Sequence, residues 1–436
     1  VPPPSKSAVP RIGWLFAYDW DGQARRRLAC LGLAHFDTAG FDLFSFPGNL
    51  ALLRYDHEQF AQRQAARARR RGWRAVLSHH EHFGVLAAAL VAEALGLPGA
   101  APEAVLAAQH KLHARRVMQT VVPEANLRFA ELQADYGDPI PEGIVYPCFA
   151  KPVKAAFSVL ATEVDGRQAL HAHTRFDRRE RWLIRHLVDP FDRLCRKRLP
   201  QAGSAHRMLL EEPVPMHVPQ YNLDGWTAAG QVHALGVVDA ITYPGTRAFM
   251  RWETPSRLSP AIQQRALEIA RRFLAAIGYR HGLFNLEFFH DPATDRLTVI
   301  ECNPRLASQF GDLYSRVSGT DPHAIGVALA LGEDPGATPR SAPTAAIAAS
   351  LVYRAFDPRA VPPAPAPAQR AAFRRAFPDG LLMPFPKAGR ALERDFKWTG
   401  NHHYGFVHLG GRDQADLLER AERASRLIGW PAPIAR

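Results

Sequence analysis

Apolar positions along the chain follow two rhythms. Residues 11–18 and 75–78 are short, nearly continuous apolar runs that predict buried strands, and the second leads into an apolar helix over residues 83–95. Gly96, Leu97, Pro98 and Gly99 then stop that helix. This strand-helix alternation predicts an α/β domain over residues 1–105. Farther on, Ser259 is placed as an N-cap with Pro260 at the first helical position, and Ile262, Ala266, Ile269, Phe273 and Ile277 share one face up to Gly278. That segment lies in a mixed region over residues 106–335. A Pro/Ala stretch at residues 357–369 predicts an extended connector, and residues 404–409 and 414–428 predict a strand and an amphipathic helix. These belong to a small third unit, residues 336–436. No internal repeat of fixed period is present.

Residues 282–289 (Gly-Leu-Phe-Asn-Leu-Glu-Phe-Phe) and 297–303 (Leu-Thr-Val-Ile-Glu-Cys-Asn) are both strand-like, and Asp291, Pro292, Ala293, Thr294 and Asp295 between them are turn residues. An antiparallel hairpin follows. With its turn centred near Thr294, Glu287 falls opposite Glu301 and Asn285 opposite Asn303, all four on one face. Phe284, Leu286, Phe288 and Ile300 then point the other way, into a core. Opposed side chains stand about 4.5–5.5 Å apart at Cβ, so two carboxylates there repel unless a cation lies between them. Two carboxylates and an amide offer oxygen ligands suited to a hard ion, Mg²⁺ or Mn²⁺. A solvated hairpin whose glutamates are neutralised by arginines accounts for the same pattern, and both readings stand at this point.

Composition narrows the class. A chain of 436 residues, 47% of them apolar, is long enough for two or three packed domains. Its richest apolar run, residues 83–97, carries Glu93 and falls short of the roughly 20 residues that a bilayer crossing needs. The opening Val-Pro-Pro-Pro-Ser-Lys-Ser has no apolar signal region. A cytoplasmic protein without a membrane partner is therefore expected. Cys30, Cys148, Cys195 and Cys302 are far apart, which predicts reduced thiols rather than a disulfide or zinc framework. The net charge of +12 comes from 47 arginines and seven lysines spread along much of the chain. No nucleic-acid motif accompanies them, so nucleic acid is not expected as a partner, although a positive field draws in acidic small molecules.

The glutamate of the first hairpin strand and the run Glu301-Cys302-Asn303-Pro304-Arg305 on the second resemble the signature of the ATP-grasp superfamily, a glutamate followed by E-x-N-P-R. The likeness extends through Ile277-Gly278-Tyr279 and Ser318-Gly319-Thr320-Asp321, and covers about residues 75–335. It implies an α/β protein of the α+β ATP-grasp kind. In that arrangement residues 1–105 form a preceding α/β domain, residues 106–335 the ATP-grasp domain with a lid at about 145–212, and residues 336–436 a C-terminal domain. By resemblance, Glu287, Glu301 and Asn303 hold Mg²⁺ (or Mn²⁺), and Arg305, Lys151 and Asn303 act at the transferred phosphoryl group. Lys111, Lys151, Lys154 and Ser158 would line the ATP phosphates. Glu211, Glu212 and Val214 would form the adenine hinge, with Gln220 toward the ribose or phosphates. The implied activity is that of a ligase, converting a small-molecule carboxylate to an acyl phosphate with ATP and joining it to an amine such as an amino acid. A homodimer is the expected assembly, as the commonest arrangement of soluble enzymes.

One departure from the family pattern stands out. Where the family has a glycine-rich lid loop, this chain has Val153-Lys154-Ala155-Ala156-Phe157-Ser158, which makes positive-φ conformations costly. Lys154 and Ser158 would then supply side-chain contacts in place of backbone N–H groups. That loop motivates a second reading, a nucleotide-binding module without turnover. A bicarbonate-using enzyme related to biotin carboxylase or carbamoyl-phosphate synthase is a third, although no biotin-attachment sequence is present. His79-His80-Glu81-His82 follows a strand of the first domain. On extended backbone at most two of its histidines can share an ion. A structural cluster and a substrate-side role for Glu81 are the other readings of it.

Overall fold

The computed structural model describes residues 9–41, 54–155, 160–385 and 387–434. Three sheets organise them. β1 (Arg11–Leu15), β2 (His35–Ala39) and β3 (Trp73–Leu77) form a parallel sheet in the order β2-β1-β3. The strand predicted over residues 11–18 ends at Leu15, because Phe16 takes a φ of 50° and turns the chain away. At Gly13 a Cβ would stand 2.2 Å from the Trp73 ring, so only glycine lets β1 and β3 pack this closely. Helix Gly84–Leu95, apolar on nearly every side, is buried from Gly84 to Ala92 and joins the main core.

The second sheet is antiparallel and contains β4 (Phe129–Glu131), β5 (Cys148–Pro152), β6 (Thr162–Val164) and β7 (Met208–Glu211), in the order β4-β7-β5-β6. The third has eight antiparallel strands. These are β8 (Gln220–Ala228), β9 (Gln231–Thr242), β10 (Phe249–Thr254), β11 (Gly282–Asp291), β12 (Arg296–Asn303), β13 (Ile347–Ala355), β14 (Leu381–Pro384) and β15 (His402–Gly411). Their order is β12-β11-β8-β9-β10-β13-β15-β14, so strands after residue 346 continue the sheet that begins with the hairpin. Helix Gln414–Ile428 covers that end, packing Leu417, Ala421, Ala424 and Ile428 against Val407 and Leu409. Each fully buried leucine or isoleucine there contributes about 1.5–3 kcal/mol.

The predicted helix after Ser259 spans Pro260–Ala276, and the Ser259 hydroxyl accepts from the Ile262 N–H. The hairpin pairs Glu287 with Glu301 and Asn285 with Asn303, the register expected from its turn. A bulge next to Glu287 then shifts the pairing, so that Phe288 faces Val299. This corrects one expectation. Val299, not Ile300, joins Phe284, Leu286 and Phe288 in the core, and Ile300 is left half-buried as the extra residue of the bulge. The Pro/Ala stretch is extended only over residues 361–366, since Pro367 opens a helix, Pro367–Ala376. All four cysteines are free thiols. Among the described residues no helix is long and apolar enough to cross a membrane.

Candidate active site

The hairpin face carries the site. Asn303, at the end of β12, donates from Nδ2 to Glu287 Oε1 at 3.1 Å and to Glu301 Oε1 at 3.3 Å, so the two carboxylates and the amide form one cluster. Gln220, on β8 beside β11, donates to Glu287 Oε2 at 3.1 Å. Lys111, the first residue of helix Lys111–Val121, places its Nζ 3.3 Å from Glu301 Oε2 and 2.8 Å from the Ala155 carbonyl. That second contact ties the hairpin to the loop that follows β5.

The electrostatics are lopsided. Burial, and next the charge of Glu301, pushes the Glu287 carboxyl well above the usual carboxylate range. Burial would raise Glu301 too, but Lys111, then Lys151 and Arg305, hold it below that range. Without a further cation the pair carries one charge comfortably and the second at a cost, as expected for close like charges.

A second cluster lies at the end of β7. Glu211 is buried and accepts from Arg115 Nε at 2.6 Å and from Lys151 Nζ at 2.9 Å. Burial lowers the Lys151 ammonium below its ordinary range, partly offset by Glu211. Arg115 also donates to the carbonyls of Val299 and Ile300, at 2.8 and 2.9 Å, and to Asn126 Oδ1 at 3.1 Å. It therefore clamps the end of β7, with Lys151 of β5 paired to it through Glu211, onto the bulge of β12. Lys154, also buried, donates to Gln109 Oε1 at 2.9 Å and stands 4.4 Å over the Phe191 ring. Burial brings its ammonium down to about 7.

Arg305 follows directly from β12. Its Nη2 is 2.5 Å from Glu81 Oε2 and its Nη1 is 3.5 Å from Asn285 Oδ1. The first sheet thus reaches the hairpin through Glu81. Of the neighbouring histidines, His79 meets Asp21, His80 stacks on Tyr18 and His82 stands 3.2 Å from the Leu187 carbonyl. The three imidazoles have separate partners.

Most residues singled out from sequence converge here: Glu287, Glu301, Asn303, Gln220, Lys111 and Arg305 in one cluster, Lys151 and Glu211 in the adjoining one. Others point elsewhere. Glu212 pairs with Arg128 and Arg296 nearer the surface, and the Val214 carbonyl accepts from Arg247 at 2.6 Å. Ser158 lies outside the described residues. Arg115 and Gln109 were not anticipated. Arg115 sits four residues after Lys111 on the same helix, one turn along the same face, and that spacing was the available signal.

The chain has the ATP-grasp fold, which it shares with a group of ligases. It is similar in structure to an L-amino acid ligase from Bacillus licheniformis, with a TM-score of 0.67 and 16% identity over 96% of both chains. It is also similar to N5-carboxyaminoimidazole ribonucleotide synthetase from Thermus thermophilus, with a TM-score of 0.60 and 19% identity over 96% of this chain and 99% of that one. For biotin carboxylase from Campylobacter jejuni the values are 0.59 and 14%, over 96% and 91%. In sequence it is 29% identical over 319 residues to carnosine synthase 1 of Gallus gallus, covering 70% of this chain and 32% of that protein. The chain thus spans about a third of the length of that curated relative. No protein-family model matches.

Proposed function

We propose that this protein is an ATP-dependent carboxylate-amine ligase that activates a carboxylate as an acyl phosphate and joins it to an amine, most simply that of an amino acid. The observation that carries the proposal is the opposed, Asn303-bridged pair Glu287 and Glu301, flanked by Lys111 and followed by Arg305. Such a pair suits a nucleotide whose phosphates arrive with a divalent cation. The names of two similar proteins, an L-amino acid ligase and a carnosine synthase, favour amino-acid substrates over bicarbonate.

Mg²⁺ (or Mn²⁺) fits the donor set: two carboxylates and an amide oxygen, with Glu287 disfavoured as an anion until a cation arrives. Glu287, Glu301 and Asn303 would hold it. When bound, it would neutralise phosphate charge as the phosphoryl group transfers.

The remaining roles belong to the chain itself. Lys111 and Lys151 face the phosphates of ATP, with Lys154 beside them from the lid loop, and Ser158 is assigned there too. Glu211, Glu212 and Val214 mark the adenine side and Gln220 the ribose side. A substrate carboxylate oxygen attacks the γ-phosphorus, the bond to the β,γ-bridging oxygen breaks and ADP leaves. Arg305 meets the charge on the transferred group, where its planar donors suit phosphate and carboxylate oxygens. The neutral amine then attacks the acyl carbon, phosphate leaves with the electrons of the carbon-oxygen bond, and the nitrogen gives up a proton as the amide forms. Lys151 and Asn303 complete the catalytic set. No covalent enzyme intermediate is required.

Residues 106–335 would form the ATP-binding unit with a lid at about 145–212, between domains 1–105 and 336–436. A cytoplasmic homodimer is the assembly that goes with this reading. The test is phosphate release from ATP across a panel of amino-acid pairs, with and without Mg²⁺. Release that requires both a carboxylate and an amine supports the proposal. Tight ATP binding with no release for any pair overturns it.

A further inference from the structure

A second polar cluster lies away from the hairpin carboxylates. Asp21 is fully buried, and the ligand atoms that Asp21, His79 and His323 offer all lie within 4.8 Å of one another. His79 and His323 are 2% and 4% exposed. The three residues come from three parts of the fold: helix Asp19–Cys30, the segment after β3, and helix Pro322–Leu331. Asp21 Oδ1 stands 3.0 Å from His79 Nδ1 and 3.7 Å from His323 Nε2, and it accepts from Ser308 Oγ at 2.7 Å.

Two features make this more than a buried ion pair. Neither ring nitrogen of His323 has a hydrogen-bond partner among the described residues, and neither does the buried Trp14 Nε1, whose ring stands 5.2 Å from that of His79. The nitrogens of this deeply buried imidazole reach only carboxylate oxygens beyond hydrogen-bond distance, Asp21 at 3.7 Å from Nε2 and Asp321 at 3.8 Å from Nδ1, and burial without a closer partner is unfavourable. The rings are also seated against glycines. A Cβ at Gly311 would stand 2.4 Å from His323 Cε1, and one at Gly326 would stand 3.4 Å from His79 Nε2. Backbone without side chains thus fixes where both rings lie.

We propose that Asp21, His79 and His323 bind one transition-metal ion of the Zn²⁺ class, which pins the first sheet to helix Pro322–Leu331. Two imidazoles and a carboxylate form a nitrogen-rich donor set that favours such an ion over Mg²⁺. Ligand atoms about 2.0–2.2 Å from Zn²⁺ stand roughly 3.3 Å apart in a tetrahedron. The two Asp21 separations, 3.0 and 3.7 Å, bracket that spacing. The ion would satisfy one orphaned nitrogen of His323 and give Asp21 a partner of full opposite charge. The fourth position falls to water or Ser308. His79 precedes Glu81 by two residues, and Asp21 accepts from the Tyr18 N–H at 2.8 Å, so the ion would also steady the segments that approach Arg305.

The test uses the full chain without a histidine tag. Elemental analysis after dialysis in chelator-free buffer should find about one transition-metal ion per chain. After chelation, Co²⁺ added to the wild type should give visible absorption bands saturating at one equivalent. X-ray absorption of the Zn²⁺-loaded protein should show imidazole nitrogens in the first shell. His323→Ala should abolish uptake, whereas Glu301→Gln should leave it intact and so separate this site from the hairpin carboxylates. No Co²⁺ bands in the wild type, a first shell without imidazole, or equal uptake by His323→Ala would each overturn the proposal. The wild-type spectra decide the matter even if His323→Ala fails to fold.

Discussion

Replacing Glu287 by Gln should make the metal-free protein more stable while removing its activity. Ionising Glu287 about 5 Å from the Glu301 charge would cost about 3 kcal/mol at an effective dielectric constant of 20, and the folded protein instead bears the cost of keeping Glu287 protonated. Lys111, 3.3 Å from Glu301, already offsets part of the local negative charge, so a net gain of about 1–2 kcal/mol is expected. The Gln side chain keeps an oxygen for the donors Asn303 and Gln220. The pH dependence sharpens the test. Burial, then the charge of Glu301, raises Glu287 to about 8, so the folded metal-free protein holds a proton that the unfolded chain gives up. Its contribution to stability is full below the ordinary carboxylate range and is lost as pH rises through about 8. Urea unfolding in the presence of a chelator, from pH 5 to 7 and so below the range in which Lys154 titrates, should show the wild type losing stability and Glu287→Gln losing less. Mg²⁺-dependent ATP turnover should vanish in the same variant. A Gln variant that is less stable without metal, or one that keeps its turnover, would refute the reasoning.

Three further outcomes follow from other residues. Arg115→Met should cost about 3 kcal/mol in urea unfolding, because it leaves buried Glu211 and the Val299 and Ile300 carbonyls short of a donor, while Lys151 still pairs with Glu211. Lys154 is held down to about 7, so the unfolded chain binds its proton more tightly and wild-type stability should rise from pH 7 toward 10.5. Lys154→Met should flatten that rise in the unfolding midpoint and weaken ATP binding in a direct titration. Arg305→Lys should lower kcat by about 10²-fold or more with a smaller change in the KM for ATP, since Lys cannot reproduce the planar fork at a transferred phosphoryl group.

The hairpin was legible because its information is local: turn residues at 291–295 and period-two alternation set the pairing of Glu287 with Glu301 without reference to the rest of the fold. The bulge at Ile300 was not legible. Its carbonyls, those of Val299 and Ile300, are met by Arg115 from a helix distant in sequence, a contact that no local pattern records. The same distinction separates the helix after Ser259, marked by its cap and apolar face, from the eight-stranded order, which joins β10 to β13 across nearly a hundred residues. Lys111, Lys151 and Arg305 could be placed by motif, but their partners could not. The Glu81–Arg305 ion pair and the Asp21, His79 and His323 cluster are products of packing between segments that no spacing in the chain relates.

The proposed chemistry is tested most directly by following oxygen from substrate to product. Amino acids labelled with ¹⁸O in their carboxylates should, with ATP, Mg²⁺ and an amine acceptor, yield phosphate carrying one labelled oxygen per turnover, because the acyl phosphate breaks at its carbon-oxygen bond. Turnover that releases only unlabelled phosphate would contradict carboxylate activation by this site.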